Sequence, residues 1–333
     1  MVHIHGVVNV LVTGAAGFIG SHLAVALRRR GFRVRGFILP TDDETLLAEE
    51  NVEVFKGDVT RGEDCSKAVG GMDVVFHLAA IVNDWCPRKP IIRVNAGGTE
   101  SLLRAASLRG VRRFVLLSSL AVHDFHPYRS GDENAPRDAH LTAYAESKIL
   151  AEDLARRYHA GGLIETVIVR PGLFPLGPRD RTSFLKLVRG LRKRIYAHIN
   201  RGRSVFCTAY VENLVEGIVL AGVKRRAAGE TFVIADPPPV RWKNLIDAFC
   251  KHLGIERIRR SLPGWLTGSP RSWNSAIKSI WPRGSRRLRA IGSKCPPRIS
   301  ISRARRPERF WDIVRRWTSP KPSNGRSNGI KAR

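Results

Sequence analysis

The sequence has few cysteines and no long hydrophobic segment. Its five cysteines among 333 residues are odd in number, scattered, and never arranged as CxxC. This spacing argues against a disulfide framework and a zinc or other metal site, and it favours a reducing compartment. No apolar run is long enough to span a bilayer, and the apolar stretch at 7–12 leads into a glycine motif rather than a signal-peptide cleavage site. We therefore expect a cytoplasmic protein without a membrane span.

Acidic residues are also scarce, with 29 Asp and Glu against 57 Lys and Arg and a net charge of +28. The imbalance is concentrated in residues 261–333, which hold 18 of the basic residues, two of the acidic ones and five of the seven tryptophans. Such a basic segment can indicate binding to nucleic acid or to an anionic membrane. Because composition changes near residue 265, the body and this tail are interpreted separately.

The body alternates short β-rich segments with helical ones. The predicted strands are apolar on both faces, as expected where helices cover both faces of a parallel sheet. We expect an α/β fold, a Rossmann-type doubly wound parallel sheet over residues 1–172, with a smaller interleaved substrate-binding unit over 173–260. The predicted strands are 7–12, 33–39, 52–55, 73–78, 113–118, 166–170 and 231–234, and the predicted helices are 18–30, 63–69, 91–109, 142–159, 211–223 and 242–253.

Three glycines, Gly14, Gly17 and Gly20, separate the first predicted strand from the first predicted helix. The first glycine permits a tight turn, the second lets the backbone approach a pyrophosphate, and the third lets helix and strand pack closely. The helix then begins with Phe18 and Ile19, whose N–H groups and positive dipole end would face the phosphates. Because strand and helix flank the motif as required, it predicts a nicotinamide dinucleotide cofactor.

The sequence weakly favours NAD over NADP. An acidic residue about 20 positions after the glycines normally binds the ribose 2′-hydroxyl of NAD. Here Asp42 and Asp43 follow the second strand slightly late, and no Arg or Lys stands at the strand end to hold a 2′-phosphate. After the third strand, "GDV" places Asp58 and Val59 beside the adenine, where Asp58 would accept from the amino group. A plain turn aspartate is the alternative interpretation.

A second group of residues lies at the carboxyl ends of the predicted strands, where open α/β folds bind ligands. Tyr144 and Lys148 are four residues apart in a helical segment and share one face, a spacing that also occurs on plain surface helices. Ser118 and Ser119 end the fifth strand. A phenol becomes an effective base when a nearby ammonium stabilises its anion. The group therefore predicts redox chemistry at a carbinol carbon, with the cofactor performing the redox step.

Two further strand ends would border the cofactor. The segment "HLAA" at 77–80 ends the fourth strand and lets the cofactor lie close to Leu78, Ala79 and Ala80. The segment "RPG" at 170–172 ends the sixth strand, where Pro171 begins a turn that would border the nicotinamide.

Together, "TGAAGFIG", "GDV", "HLAA", "VNAGGT", the serine pair, the Tyr144/Lys148 pair and "RPG" resemble the extended short-chain dehydrogenases/reductases over residues 7–255. The resemblance is nearest to members like 3β-hydroxysteroid dehydrogenase and dihydroflavonol reductase. It implies that Ser119, Tyr144 and Lys148 are catalytic, that Lys148 also contacts the nicotinamide ribose, and that Asn95 orders the active-site helix. Ser119 is preferred to Ser118 because it lies three residues before Val122 in the segment that matches the family's "VYG".

Two departures from the family pattern bear on the substrate. Nucleotide-sugar epimerases carry an Asn after the sixth strand, where this chain reads "RPGLFPLGPRD", and "VYG" is replaced by Val122-His123-Asp124. Both favour a dehydrogenase or reductase acting on an apolar alcohol or ketone, and we expect His123 to be an ordinary loop residue. A nucleotide-sugar epimerase or dehydratase and a non-catalytic NAD(P)-binding regulatory protein are the alternatives. The expected partners are a small-molecule substrate and a second copy that pairs through the active-site helices, with no specific nucleic acid.

The tail does not resemble the usual ending of this family. When the codons for residues 310–331 are read one nucleotide earlier, they permit "FLGHSPAVDLSEAIERTVEWYK", which does resemble it. We hypothesise that a frameshift near residues 262–275 replaced the native C-terminus, which would leave 261–333 basic and disordered and the enzyme less stable or inactive. A genuine disordered basic extension is the alternative.

Overall fold

The computed structural model describes residues 8–82, 87–123, 133–137, 142–181, 184–193, 198–199, 202–256 and 261–262. Its main sheet has seven parallel strands in the order β10-β6-β5-β4-β1-β2-β3. These strands are β1 (Asn9–Thr13), β2 (Arg33–Ile38), β3 (Glu53–Lys56), β4 (Val74–His77), β5 (Arg113–Leu117), β6 (Glu165–Pro171) and β10 (Thr231–Ile234). The predicted doubly wound sheet is confirmed, with strand ends within two residues of their predicted positions.

Helices cover both faces of the sheet, so the central strands are buried on each side. Two separate clusters of buried apolar side chains, one on each face, form the core of this layer. The helices in chain order are α1 (Phe18–Arg29), α2 (Thr45–Glu49), α3 (Gly62–Ala68), α4 (Arg88–Ile92), α5 (Gly98–Leu108), α6 (Ala143–Ala160), α7 (Phe184–Arg192), α8 (Val211–Val223) and α9 (Trp242–Leu253).

The predicted helix at 91–109 is interrupted. A π-helical turn, Arg93–Gly97, lies between α4 and α5, and turns of this kind are frequent at functional sites. The turn includes Asn95, whose buried side chain donates to Ser147 on α6.

A smaller unit follows β6 and interleaves with the first. A three-stranded sheet contains β7 (Phe174–Leu176), β9 (Val205–Tyr210) and β11 (Asp236–Arg241), and two short strands, β8 (His198–Ile199) and β12 (Ser261–Leu262), pair separately. Helices α7 and α9 share a third apolar cluster with this sheet. The chain returns to the main layer between these elements, because α8 packs on α1 and β10 joins β6. The domain boundaries at 172 and 260 remain predictions.

Several features were not predicted from the sequence. The elements α2, α7, β7, β9 and β11 were not predicted, although the apolar residues of α7 recur at helical spacing. Cys207 is disulfide-bonded, which the cysteine spacing did not predict. Among the described helices, none has both the length and the apolar character needed to cross a membrane. Residues 263–333 lie outside the described residues, so the predictions for the tail remain predictions.

Candidate active site

The site lies at the carboxyl edge of the seven-stranded sheet, around β1. This strand lies between β2 and β4, where the order of strands along the sheet reverses. In open α/β sheets the crevice at such a reversal is the usual ligand site. The loops that follow β1, β4, β5 and β6 all carry predicted site residues to this edge.

The glycine turn between β1 and α1 leaves little space for side chains on its own backbone. Gly14 has φ of +65°, and a side chain there would be 3.0 Å from the backbone of Ala79. At Gly20 an added Cβ would be 2.1 Å from the Gly14 carbonyl oxygen, so only glycine fits. Gly17 begins α1 without a side-chain cap, and the first turn has no acidic residue. The first N–H groups and the positive end of the helix are therefore available to bind an anion. These residues fit a dinucleotide pyrophosphate.

A buried chain of side chains holds the end of β4 against the glycine turn. The Thr99 hydroxyl donates to the Asn95 carbonyl at 2.6 Å and accepts from His77 Nε2 at 3.0 Å. His77 Nδ1 therefore accepts from the Thr13 hydroxyl, 2.8 Å away. Burial, followed by the charge of Lys148, lowers the pKa of His77 to about 3, consistent with this neutral tautomer.

The same Thr13 oxygen accepts from the backbone N–H groups of Leu78 and Ala79, each at 3.1 Å. Three residues predicted to border the cofactor, Leu78, Ala79 and Ala80, are therefore held at the carboxyl edge and are half-buried. The pattern "HLAA" indicated the close approach of this segment, but it did not indicate that Thr13 and His77 fix it.

Asn95 joins the β4 loop to α6. Its Oδ1 accepts from Ile81 N at 2.7 Å, and its Nδ2 donates to Ile81 O at 3.1 Å and to the Ser147 hydroxyl at 2.9 Å. Ser147 in turn donates to the Tyr144 carbonyl at 2.7 Å. These bonds occupy both ends of the Asn95 amide, so its side chain links the loop after β4 to α6, and its predicted role in ordering an active-site helix remains a prediction.

The two serines after β5 differ in environment. Ser118 is 3% exposed, and its hydroxyl donates to Glu152 Oε1 at 2.6 Å. Ser119 is half-buried, and its Oγ accepts a local bond from Ala121 N at 3.1 Å, which begins a short 3-10 turn, Leu120–Val122. Within the described part of the chain the Ser119 hydroxyl proton has no acceptor, whereas that of Ser118 is used inside the protein.

Tyr144 and Lys148 lie one turn apart on α6, whose N-terminus is capped by Thr142. The helix packs against the 3-10 turn that follows Ser119, so all three predicted catalytic residues lie at one end of the sheet. Lys148 is buried, and its Nζ donates to the Leu117 carbonyl at 2.9 Å. Burial lowers the pKa of Lys148 to about 8, and the charge of Glu152 opposes this shift.

Behind the serines lies a buried ion pair that the sequence did not indicate. Arg170, at the end of β6, donates to both oxygens of Glu152 at 2.8 and 2.7 Å, and neither side chain is exposed. Burial would raise the pKa of Glu152, but the bonds and charge of Arg170 hold it below its ordinary value. Arg170 also donates to His123 Nε2 at 3.0 Å. The expectation that His123 is an ordinary loop residue was wrong, because it is 8% exposed and part of this network.

The remaining predicted cofactor residues line the same edge. Asp58 Oδ1 accepts from Thr60 N at 2.8 Å, the geometry of a turn aspartate, and the Val59 side chain is buried in the core. Pro171 is the buried last residue of β6. Phe18 and Ile19 are half-buried in the first turn of α1. The roles of these side chains toward a cofactor remain predictions.

Comparison with known proteins places these features in a family. A sequence model of the NAD dependent epimerase/dehydratase family matches residues 10–235. A 3 beta-hydroxysteroid dehydrogenase/Delta 5→4-isomerase from Mycobacterium tuberculosis is 34% identical over 249 residues, which is 70% of this chain and 66% of that protein. The chain thus spans just under two thirds of that relative's length.

Two solved structures are similar in fold. A short-chain dehydrogenase/reductase superfamily protein from Agrobacterium tumefaciens with bound NAD has a TM-score of 0.67 and 25% identity, covering 93% of this chain and 95% of that one. A UDP-glucuronic acid 4-epimerase from Bacillus cereus, in complex with UDP-glucuronic acid and NAD, has a TM-score of 0.67 and 26% identity, covering 77% and 86%. Both support the expectation of a nicotinamide cofactor and the preference for NAD.

Proposed function

The chain belongs to the NAD-dependent epimerase/dehydratase family, and on that premise we propose that it is an NAD-dependent dehydrogenase/reductase. It interconverts a secondary alcohol and a ketone on an apolar, steroid-like small molecule. The observation that carries the proposal is the arrangement of α6 beside the end of β5. That arrangement supports a site in which Ser119, whose hydroxyl donates no bond within the described residues, Tyr144 and the buried Lys148 act together at the edge that holds the glycine turn.

In the proposed reaction Tyr144 accepts the proton of the substrate hydroxyl, and Ser119 holds the substrate oxygen in line. The Lys148 ammonium lies one helical turn away and stabilises the developing phenolate through its charge. NAD, when bound, supplies the acceptor for the hydride that leaves the carbinol carbon. The residues fit NAD through the open first turn of α1 and through the glycines, which leave no room for side chains.

Two observations support an apolar substrate. The 34% identical relative is named as a hydroxysteroid dehydrogenase. In addition, the segment after β6 lacks the Asn with which epimerases grip a nucleotide-sugar, and the partly buried side chains there are apolar, including Leu173 and Phe174.

The direct test is to incubate the full-length protein with NAD and a panel of 3β-hydroxysteroids, smaller secondary alcohols and UDP-sugars. Reduction of NAD by a hydroxysteroid is the expected result. If no alcohol in the panel reduces NAD while the protein binds NAD normally, the dehydrogenase assignment is wrong and a non-catalytic NAD-binding protein becomes the better interpretation.

A nucleotide-sugar epimerase is the second candidate, supported by the similarity to the epimerase from Bacillus cereus. An epimerase uses bound NAD transiently and regenerates it, so it would interconvert UDP-sugars without net accumulation of reduced cofactor. Chromatography of the UDP-sugar arm of the same panel separates this outcome from the dehydrogenase.

Four predictions from the sequence accompany this proposal. A cytoplasmic location is tested by cell fractionation, pairing of two copies through α6 by the mass in solution, and the absence of specific nucleic-acid binding by a gel shift. The frameshift hypothesis for 261–333 is tested by sequencing the gene, because the neighbouring reading frame must encode the family ending.

A further inference from the structure

The loop at residues 177–181, here called the arginine loop, reaches from the smaller unit to the first helix of the dinucleotide fold. His22 Nε2 on α1 donates to the Pro178 carbonyl at 2.9 Å. A side chain at Gly177 would come within 3.5 Å of the Phe18 ring and within 2.4 Å of Val211. The loop therefore packs directly on the first turns of α1, beside the glycine turn.

In the arginine loop two exposed arginines flank one buried aspartate. Asp180 is 1% exposed, and its Oδ2 accepts from Phe184 N at 2.8 Å at the start of α7. Arg179 and Arg181, on either side of it, are exposed. Arg179 has φ of +70°, a left-handed conformation that is uncommon for a residue other than glycine. Such conformations persist where the surroundings impose them and are frequent at ligand sites.

The crevice between α1 and the loop after β2 is here called the groove. After burial, the charge of Arg179 contributes to the lowered pKa of His22 on α1. The pKa of Asp43, after β2, is lowered first by hydrogen bonds from Thr45 and then by the charges of Arg179 and Arg181. The contacts of Pro178 and Gly177 place the arginine loop against α1, and the charge effects on Asp43 are consistent with arginines that face the β2 loop. The adenosine half of a dinucleotide is held between α1 and the β2 loop in this type of fold.

The acids of the β2 loop do not neutralise the arginines. Asp42 accepts from Leu39 N at 3.0 Å, and Asp43 accepts from the backbone and hydroxyl of Thr45 at 3.0 and 2.7 Å. Both carboxylates thus hold the loop itself, and within the described part of the chain neither arginine forms an ion pair with a carboxylate. Two unpaired guanidinium groups at this place suit phosphate, which they bind with strong charge-assisted bonds.

We propose that Arg179 and Arg181 bind phosphate at the adenosine half of the dinucleotide, so that the smaller unit helps to hold the cofactor. The inference rests on the proposed function, because it assumes that the groove binds the cofactor. The phosphate has two sources: the pyrophosphate is shared by NAD and NADP, whereas the 2′-phosphate belongs to NADP alone. The sequence showed no Arg or Lys at the end of β2 for a 2′-phosphate, but the structure sets a loop with two exposed arginines on α1, and these residues lie far along the chain from β2.

The test is calorimetric titration of the full-length protein with NAD and with NADP, at two salt concentrations. The variant is Arg179→Gln/Arg181→Gln. The matched control is Arg225→Gln/Arg226→Gln, which removes the same charge from exposed residues near the C-terminal end of α8, at the opposite edge of the sheet. Because all four side chains are exposed, we expect both variants to fold, and their thermal unfolding checks this.

We expect the loop variant to bind NADP at least about tenfold more weakly than the wild type, with a smaller salt dependence, while the control stays unchanged. A loss confined to NADP assigns the arginines to the 2′-phosphate, and equal losses for both nucleotides assign them to the pyrophosphate. Unchanged affinities for both nucleotides would overturn the inference while leaving the proposed function intact. A wild-type protein that binds neither nucleotide contradicts the proposed function and this inference together.

Discussion

The two edges of the seven-stranded sheet both carry charged pairs, but in different surroundings. At the amino edge Arg113 donates to Glu165, whose side chain is 44% exposed, and to the Lys224 carbonyl at the end of α8. At the carboxyl edge Arg170 donates to Glu152, and both side chains are fully buried. In the first pair the Glu165 carboxylate stays in contact with water. In the second pair both charged groups depend on protein partners alone.

Burial of charge costs free energy, which only good geometry and additional hydrogen bonds offset. At the carboxyl edge those additional bonds connect Glu152 to Ser118, the neighbour of Ser119, and Arg170 to His123. The pair at the amino edge joins the first residues of β5 and β6 to the end of α8. The network at the carboxyl edge holds the residues beside the candidate site in one arrangement.

The largest effect at the carboxyl edge is expected from Tyr144→Phe. Loss of the phenolic hydroxyl removes the proposed acid/base group, so turnover on a confirmed substrate should fall by roughly 100- to 10,000-fold. The affinity for NAD, measured by calorimetry, should stay nearly unchanged. Tyr158→Phe on the same helix is the control, because Tyr158 packs in the core away from the site. Wild-type turnover in Tyr144→Phe would show that the proton-transfer assignment is wrong.

The next effect concerns binding. Gly17→Val places a side chain where the pyrophosphate would approach, beside the Gly14 carbonyl at 3.1 Å, so calorimetry should detect no NAD binding. Gly62→Val is the control, because a Cβ there meets nothing within 4 Å. Undiminished binding by a folded Gly17→Val variant would place the dinucleotide elsewhere.

Glu152→Gln tests the buried pair. The substitution keeps the shape but leaves the Arg170 charge without its counter-charge, so the free energy of unfolding should fall by about 3–5 kcal/mol in urea titrations. The pKa of Glu152 is lowered in the folded protein, so its stabilisation is present above the ordinary carboxyl pKa and is lost as the pH falls through the lowered value. The difference between wild type and variant should therefore shrink in acid. A constant difference at every pH would contradict this account.

The smallest effect is expected from the same substitution at the other edge. Glu165→Gln removes the charge of a half-exposed carboxylate whose partner, Arg113, keeps its bond to the Lys224 carbonyl. The loss in unfolding free energy should be below about 1 kcal/mol, and turnover should not change. A loss as large as that of Glu152→Gln would remove the proposed contrast between the edges.

Local patterns were enough to predict the framework. The run from β1 through the glycines to α1 was predicted to within two residues because each part has a local cause: an apolar strand, three glycines that leave no room, and helical periodicity. Tyr144 and Lys148 share a helix, so their spacing alone places them on one face. By contrast, α7 was not predicted although Phe184, Leu187, Val188 and Leu191 recur at helical spacing, and β9 was not predicted either.

The sequence by itself determined the fold class, the cofactor cradle and the identity of the candidate catalytic residues. The resemblance selected Ser119, but only the tertiary structure shows a physical reason for that choice, because Ser118 donates its hydroxyl proton to a glutamate 34 residues away. The tertiary structure also paired Thr13 with His77 across 64 residues and set the arginine loop on α1 across 156. Hydrogen bonds and charge act over a few ångströms of space, and the distance along the chain does not reveal which groups the sheet order brings that close.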